Sequence, residues 1–406
     1  MLRLWRNVEF SNFDFSSLEW LSNSSLFVLH SSLIKASAFF TFKKMSQLKD
    51  FTLRLVAGAN IVTIIIMLLL GYSDRVNAAA HPFIGVIGLA FPVFLVLNIL
   101  FLLFWLCVRK RWAVIPLLGL IAGYGPISTY SPLSIVRGAP KGAMKVISYN
   151  VFCFHGWQVD ENDSEVLSYL VEENADIVCL QEADCSPWHQ KRLDSIMTPQ
   201  YAYRDTSRNQ TSGGDVIMVL SKYPIVKKEY IQYESKSNHS CAFWLLTGRA
   251  DTTILVANHL ESTALPQRVK ERFKNMVKGD LKGDSVKVES KTLYAKLAVA
   301  TAKRAPQAEA VARYVREHKR YPIILCGDFN DNPISYVHHT IAKELTDCYT
   351  ATGNGPGISY NSNAFFVRID NIMCSDHFVP YNCSVDRSIK ASDHYPIKCW
   401  VKRRGN

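Results

Sequence analysis

Two kinds of hydrophobic pattern divide the chain near residue 140. The N-terminal part contains long, nearly uncharged apolar runs, whereas the rest contains short apolar runs separated by polar and helical stretches. A run of ~20 apolar residues is typical of a membrane-spanning helix. Runs of about four to eight residues that are β-branched and bounded by turn residues are typical of buried strands. The pattern therefore predicts a membrane block followed by an α/β domain.

Three apolar stretches predict transmembrane helices at about residues 53–71, 83–108 and 112–130. The first two carry no charge once their ends are trimmed. Several Pro and Gly residues, among them Pro116 and Gly123, interrupt the third, although neighbouring helices can accommodate such residues in a membrane. We therefore predict a transmembrane region over residues 45–132 and a linker over 133–143.

Residues 1–44 do not fit this division clearly. They are rich in Ser and Phe, with a modest apolar run at 26–40 that His30 and Lys35 interrupt. The segment is compatible with a signal-like sequence, an amphipathic helix, or translated sequence upstream of a start at Met45. A fourth span here would reverse the topology that the rest of the block predicts.

Basic residues predict the orientation, because Lys and Arg are retained on the cytoplasmic side of membrane helices. Lys43, Lys44, Lys49 and Arg54 precede the first span, and the Arg-Lys-Arg sequence at 109–111 separates the second span from the third. Both clusters fall on the same side of the membrane. Three crossings then place the C-terminal domain outside the cytoplasm, which in a bacterial inner membrane means the periplasm.

Charge and cysteine content refine this picture. The formal net charge is +11, and 11 Lys/Arg against 4 Asp/Glu lie between Arg268 and Arg304, inside a basic insertion at about 263–303. Such a segment can attract phosphate-rich substrates or anionic lipid, or it can be an exposed helical surface. The 10 cysteines form no CxxC pair, so a cysteine zinc site is not predicted.

Polar residues suited to catalysis stand where the short strands of the second domain end or begin. They are Asn150, Glu182, His259, Asp328, Asn330, Asp370, Asp393 and His394. Carboxylate oxygens are preferred ligands of Mg²⁺ and Mn²⁺. A metal stabilises charge on a phosphoryl group, and a His–Asp pair can manage the proton. Together these residue types predict hydrolysis of a phosphate ester by water.

The same motifs resemble those of the endonuclease/exonuclease/phosphatase superfamily, also called deoxyribonuclease-I-like. The resemblance covers about residues 144–401 and rests on SYN, LQE, SGGDVIMVLSKYPI, NHLES, GDFND, RID and SDHYP in that order. It implies a four-layer α/β/β/α sandwich of two mixed sheets over residues 144–402. Members that repair DNA usually carry a Trp before the first Asn and an acidic residue two positions after it. Tyr149 and Phe152 stand there in this chain, which argues against a repair enzyme.

The resemblance also implies a metal site. Glu182 corresponds to the principal Mg²⁺ ligand, assisted by Asn150 and Asp393, and Mn²⁺ is an alternative ion. A purely structural role remains open for Asn150, as a strand-end cap. Asp370 and His259 also have structural alternatives, as a partner of Arg368 and as a core histidine.

The remaining roles implied by the resemblance concern the reaction itself. His394 corresponds to the histidine at the scissile phosphate, oriented by Asp370. Asp328 corresponds to the residue that orients or deprotonates the attacking water, and Asn330 and His259 to donors that bind phosphoryl oxygens. The general base is left open between Asp328 and His394.

These observations predict a membrane-anchored, Mg²⁺-dependent phosphodiesterase or endonuclease-like hydrolase. A lipid or sugar-phosphate phosphatase of the same fold is the alternative within the enzyme class. Outside it, the alternative is a catalytically inactive, membrane-tethered binding module, which the retention of Glu182, Asp328 and His394 disfavours. The expected partners are the lipid bilayer and a phosphoester substrate, whether nucleic acid, phospholipid headgroup or small diester.

Overall fold

The computed structural model describes residues 25–155, 157, 164–209, 214–248, 251–280, 284–362 and 364–405. Residues 1–24, which include most of the segment of unclear status, lie outside the described residues. The chain divides into two units, Met1–Val62 and Thr63–Asn406. The described part of the first unit is helical.

The described residues before the linker form helices. They are α1 (Ser25–Gly71), α2 (Pro82–Ile87), α3 (Phe91–Val108), α4 (Val114–Ala122) and α5 (Tyr124–Tyr130). Two segments within the described residues, Gln47–Arg75 and Pro82–Val108, are long and apolar enough to cross a membrane.

The prediction of a third continuous span at 112–130 was wrong. Lys110–Ala122 and Tyr124–Tyr130 are bent by 65° relative to each other, so only the pair taken together reaches the length of a span. The break falls at Gly123, and Pro126 follows in the next turn. Gly and Pro are the residues at which helices most often kink. The second predicted span, by contrast, is continuous over Pro82–Val108, with a 3₁₀ turn at Gly88–Ala90 between α2 and α3.

The C-terminal domain contains fourteen strands within the described residues. They are β1 (Met144–Asn150), β2 (Ile177–Gln181), β3 (Tyr203–Arg208), β4 (Val216–Ser221), β5 (Ile225–Ile231), β6 (His239–Leu246), β7 (Thr252–His259), β8 (Ile323–Asp328), β9 (Thr346–Asp347), β10 (Tyr360–Ser362), β11 (Phe365–Val367), β12 (Asp370–Cys374), β13 (Phe378–Val385) and β14 (Ile397–Arg403). Six form one sheet in the order β13-β14-β1-β2-β4-β3, and six form another in the order β5-β6-β7-β8-β12-β9. Both sheets are mixed, because β1 pairs with β2 and β7 with β8 in parallel while the other pairings are antiparallel.

Alternation along the strands creates the layers. In β1, Val146 packs into a core shared by the two sheets, whereas Ile147 packs against helices on the outer face. In β8, Ile324 packs into the shared core and Leu325 packs on the outer face of the other sheet. This period of two gives each sheet two buried faces. The outer helices are α6 (Glu165–Glu173), α7 (Pro187–Met197), α8 (Gln267–Lys278), α9 (Asp284–Glu317) and α10 (Tyr336–Ala342). A further short helix, α11 (Cys348–Thr352), instead packs Cys348 and Tyr349 into the core shared by the sheets. The predicted sandwich of two mixed sheets with outer helices is confirmed.

Two glycines allow the helices before the linker to approach the C-terminal domain closely. A Cβ on Gly85 would lie 2.8 Å from the Ala78 Cβ and 3.0 Å from the Thr301 methyl group of α9. A Cβ on Gly88 would lie 2.1 Å from the carbonyl oxygen of Ile334. Since larger residues would force these backbones apart, both glycines set the distance between α2 and the domain.

Candidate active site

The strand ends bring the predicted residues to one rim of the sandwich. Asn150 ends β1 and Glu182 follows β2, while His259 ends β7 and lies opposite Asp328 at the end of β8. The carboxyl ends of parallel neighbours meet at the same edge of a sheet. Asp370 joins them from the antiparallel strand β12, where it pairs in register with Asp328.

One His–Asp pair is formed by His394 and Asp370. The Nδ1 of His394 lies 2.8 Å from Asp370 Oδ2, and both side chains are buried. Burial alone would lower the pKa of His394, but Asp370 and Asp328 outweigh it and raise this pKa to about 10. The imidazole is therefore held as a cation near neutral pH. Arg368 does not pair with Asp370, since its guanidinium donates to the carbonyl groups of Thr129 and Pro356.

A second His–Asp pair was only half predicted. The Nδ1 of His259 lies 2.9 Å from Asp215 Oδ1, and His239 lies on the other oxygen of Asp215 at 3.3 Å. Burial would lower the pKa of His259, but Asp215 outweighs it and raises the pKa to about 9. Asp215 itself has a pKa below its usual range, because the two histidines outweigh its burial. The sequence signal was the SGGDV motif, whose acidic residue precedes β4 rather than ending a strand.

Asp328 lies between these two pairs. Its Oδ2 is 3.8 Å from the Nε2 of His394 and 3.8 Å from the Nε2 of His259. It also accepts a bond from Asn150 Nδ2 at 3.2 Å. Burial and then Asp370 raise the pKa of Asp328 to about 6, against the opposing effect of both histidines. A carboxyl group in this range can both hold and release a proton near neutral pH.

Backbone geometry presents the motif residues to the rim. Glu182 and Asn330 both adopt left-handed conformations, with φ of 51° and 53°. Such conformations are uncommon for residues with a side chain and cluster at functional sites. The residue before Asp328, Gly327, has φ of 140°, and a Cβ there would lie 1.9 Å from the Asn258 carbonyl oxygen. Only glycine allows β8 to pass β7 so closely.

The predicted metal ligands form an oxygen-rich group. Glu182 Oε1 accepts a bond from Asn150 Nδ2 at 3.1 Å, and its side chain is 31% exposed toward the rim. Asn150 Oδ1 accepts one bond, from the Phe152 N–H at 3.1 Å, which leaves it a lone pair. Asp393 lines the same cavity as Glu182. Hard oxygen donors of this kind fit Mg²⁺.

Three other residues, Asp328, Asp370 and His394, lie close enough together to be considered as cation ligands. Donor atoms of Asp328, Asp370 and His394 lie within 4.8 Å of one another. However, the His394–Asp370 bond already uses one donor atom of each, and Asp328 accepts bonds from Asn150 and from the backbone of Asn330. The trio therefore fits a proton-handling group better than a ligand set.

Asn330, predicted to donate to a phosphoryl oxygen, already makes two hydrogen bonds within the protein. Its backbone N–H donates to Asp328 Oδ1 at 2.7 Å, and its side-chain Nδ2 donates to the carbonyl of Leu260 at 3.0 Å. These bonds fix the loop after β8. The bond to Leu260 uses one hydrogen of the side-chain amide and leaves the other for a further acceptor. Arg304, which also lines the cavity, is bound to Asp331 and to the carbonyl of Glu261.

The rim encloses a cavity of about 280 Å³ whose walls come from several parts of the chain. Lys270, on α8 of the basic insertion, lines it and lies 3.3 Å from the hydroxyl of Tyr360. The Tyr360 ring packs edge-on against His394, with centroids 5.0 Å apart. The insertion therefore forms two helices that cover the site rather than a detached surface loop. Sequence reasoning identified the charge of this segment but did not identify Lys270.

Several solved structures resemble the domain. An endonuclease/exonuclease/phosphatase family protein from Bacteroides thetaiotaomicron is 17% identical with a TM-score of 0.44, covering 65% of this chain and 98% of that one. Truncated TDP2 from Caenorhabditis elegans is 15% identical with a TM-score of 0.45, covering 64% and 98%. Sphingomyelinase C from Streptomyces griseocarneus is 16% identical with a TM-score of 0.43, covering 64% and 99%. Similarity at this level does not distinguish among substrates. No curated protein matches the chain.

Family models match two parts of the chain. Residues 53–130 match a domain of unknown function, DUF8431. Residues 147–394, more than half of the chain, match the endonuclease/exonuclease/phosphatase family. This second match confirms the resemblance predicted from the motifs. The chain therefore belongs to the endonuclease/exonuclease/phosphatase family, whose members hydrolyse phosphoester bonds.

Proposed function

We propose that this protein is a membrane-anchored, Mg²⁺-dependent phosphodiesterase. The observation that supports this most strongly is the convergence of two buried His–Asp pairs on Asp328, beside a cavity lined by Glu182. An inactive binding module has no need of two charged, buried pairs around a third carboxylate, because burying unpaired charge costs stability.

The chain's own residues divide the reaction between them. Asp328 accepts a proton from the attacking water, since its carboxylate is held by Asn150 and by the backbone of Asn330. His394 donates a proton to the leaving oxygen, because Asp370 fixes its Nδ1 and leaves Nε2 directed toward the site. His259, held in the same way by Asp215, donates a hydrogen bond to a phosphoryl oxygen.

Mg²⁺ would be held by Glu182, Asn150 and Asp393. When bound, it supplies positive charge that stabilises the phosphoryl oxygens as negative charge develops on them. The oxygen donors described above support this choice over zinc, whose sites are rich in Cys and His. Mn²⁺ prefers similar ligands and is expected to substitute.

Packing of the membrane block supports an extracytoplasmic catalytic domain. Asn77, in the connection between the two candidate spans, donates to Glu309 and Tyr336 of the domain. The basic residues at 109–111 follow the opposite end of α3. If both segments cross the membrane, the domain and the basic cluster lie on opposite faces, which supports a domain outside the cytoplasm. A phosphatase reporter fused to the C-terminus should be active only outside the cytoplasm, and a cytoplasmically active reporter would reverse this assignment.

The function is tested on the full chain purified in detergent, with bis(4-nitrophenyl) phosphate as substrate. We expect release of nitrophenolate with Mg²⁺ and none with excess chelator. His394→Ala should abolish the activity. The matched control is His338→Ala, which removes a buried histidine paired with Asp347 outside the cavity. Activity that survives both the chelator and His394→Ala would refute the proposal.

A further inference from the structure

The catalytic cavity is polar on one side and apolar on the other. Its polar side contains the catalytic carboxylates and His394. The apolar side is formed by Val86 and Leu89 of the membrane block, by Leu297 of α9, and by Phe365 and Val367 of β11, which pairs with β10. A small, fully charged phosphoester would leave this second side unused, because apolar walls contribute to binding only when they are covered.

A second cavity, of about 390 Å³, adjoins the first. Val86, Leu89 and Leu297 line both of them. The other walls of this outer cavity are almost entirely apolar, from Ile66, Leu70 and Phe94 in the helices of the block and from Phe273, Met276 and Leu293 in α8 and α9. The polar catalytic centre is therefore continued by apolar surface in one direction, toward the helices of the block.

The outer cavity lies where the two candidate spans meet the catalytic domain. Leu70 is next to the end of α1, and Phe94 is in the first turn of α3. Both positions fall inside the segments that are apolar enough to cross a membrane. The cavity therefore lies between the candidate spans and the domain, and if the spans cross a bilayer as proposed, it opens beside the ends of the lipid chains.

The apolar side of the catalytic cavity and the outer cavity together form an apolar passage. The two helices of the basic insertion contact both of its sides. On one side, the Tyr294 hydroxyl donates to the carbonyl of Phe83, and the two rings stack with centroids 5.6 Å apart. On the other side, Phe273 stacks on Phe365 at 4.3 Å. Together, α8 and α9 therefore bridge the membrane block and the catalytic domain across the apolar passage.

Resting on the proposed function, we propose that the substrate is a phosphoester carrying a long alkyl chain, with the phosphate at the catalytic centre and the chain in the apolar passage. The passage suits a hydrocarbon chain in both chemistry and shape. It does not suit a nucleic acid, whose backbone would bring one negative charge per phosphate against apolar walls.

The substrate class is tested with a series of 4-nitrophenyl alkyl phosphates in which the alkyl group is ethyl, octyl or hexadecyl. In each, a water oxygen forms the new bond to phosphorus, the bond to the nitrophenolate oxygen breaks, and the water proton is released. The scissile bond is the same throughout, so only the chain varies. With the full chain in detergent micelles and Mg²⁺, we expect kcat/KM to rise at least about tenfold from ethyl to hexadecyl.

Variants separate binding in the passage from partition into the micelle. Leu297→Trp fills the junction of the two cavities and should reduce the hexadecyl-to-ethyl ratio of kcat/KM by at least about tenfold. Val299→Trp, on the same helix but exposed and in neither cavity, should leave the ratio at the wild-type value. Met276→Trp, in the outer cavity alone, repeats the test in case Leu297→Trp does not fold.

The outcomes distinguish the two proposals. If no ester is hydrolysed in the presence of Mg²⁺, the proposed function fails. If all three esters are hydrolysed at the same rate, or if Val299→Trp changes the ratio as much as the passage variants do, the function stands and the lipid inference is overturned. Faster hydrolysis of a single-stranded oligonucleotide than of the hexadecyl ester would likewise overturn it.

Discussion

Asp370→Asn isolates the contribution of one carboxylate to the candidate site. The substitution preserves the size of a fully buried side chain and removes its charge. Asp370 Oδ2 lies 2.8 Å from His394 Nδ1 and accepts its hydrogen. An amide at position 370 can donate an N–H to His394 Nδ1 instead. This favours the neutral tautomer of His394 whose hydrogen lies on Nε2. We therefore expect both the charge state and the orientation of His394 to change.

The size of the effect follows from the charge that is lost. A carboxylate in contact with a cation typically shifts a pKa by ~1–3 units, and each unit corresponds to ~1.4 kcal/mol. The pKa of His394, raised to about 10 by the carboxylates against its burial, should therefore fall by ~1–3 units in the variant. A positioned general acid contributes ~10²–10⁴-fold to a rate, so kcat should fall within that range.

The assay is the pH dependence of kcat on bis(4-nitrophenyl) phosphate at saturating Mg²⁺. The alkaline limb, where the imidazolium loses its proton, should move to lower pH in the variant. The pH dependence of stability provides a second readout. The His394–Asp370 pair stabilises the fold fully below the ordinary His pKa of ~6.5, and this stabilisation is lost as pH rises through about 10. The difference in Tm between wild type and variant should therefore shrink over that range.

Asp347→Asn is the matched control. Asp347 is also buried and also contacts a histidine, His338, at 3.1 Å, but neither residue lines the catalytic cavity. This variant should lose thermal stability while its kcat stays within about threefold of wild type. Equal losses of kcat in the two variants would mean that Asp370 acts only on stability. An unchanged kcat and pH profile in Asp370→Asn would refute the assignment of His394.

Three further predictions concern other parts of the domain. Asp215→Asn should lower kcat by ~10–10²-fold with little change in KM, because the histidine it holds loses its orientation; an unchanged kcat would remove that pair from the mechanism. Gly327→Ala should prevent folding or lower Tm by at least about 5 °C, since its Cβ would lie 1.9 Å from the Asn258 carbonyl oxygen, and a normal melting curve would show that β8 can move away. Lys398→Met should lower Tm by ~2–4 °C at pH 7, because Lys398 outweighs burial and lowers the pKa of Asp386 to about 2. That loss should disappear as pH falls from ~4 to about 2, where the carboxylate becomes protonated in both proteins, and a loss independent of pH would contradict the pairing.

The sequence predicted the sheets and most of the rim because both depend on local patterns. Short apolar runs form strands whose residues alternate between two cores, and the motif residues follow directly at the strand ends. The amino-acid pattern alone is therefore enough to place Asn150 and Asp328 at the rim. His394 and Asp370 were paired from the resemblance, since 24 residues separate them and no periodicity links them.

The rest could not be predicted because it depends on contacts between distant segments. Asp215 precedes its strand and reaches His259, 44 residues away, across the gap between the two sheets. Lys270 is one basic residue among many in the insertion, and only the position of α8 distinguishes it. Gly123 and Pro126 allow the bend between α4 and α5, but hydropathy measures only composition and does not show whether such residues bend a helix. Long-range packing of this kind leaves little trace in a single sequence.

The contacts between the membrane block and the catalytic domain bear directly on what the block does. A simple tether needs only a flexible linker, and residues 133–143 are long enough to provide one. Instead, Gly88 approaches the Ile334 carbonyl so closely that a Cβ would lie 2.1 Å from it, four residues after Asn330. Arg368, two residues before Asp370, donates to the Thr129 carbonyl at the end of the block. These contacts fix the block to the segment after Asp328 and to the segment before Asp370, and Val86 and Leu89 of the block line the cavity beside them, in addition to the block's predicted role as an anchor.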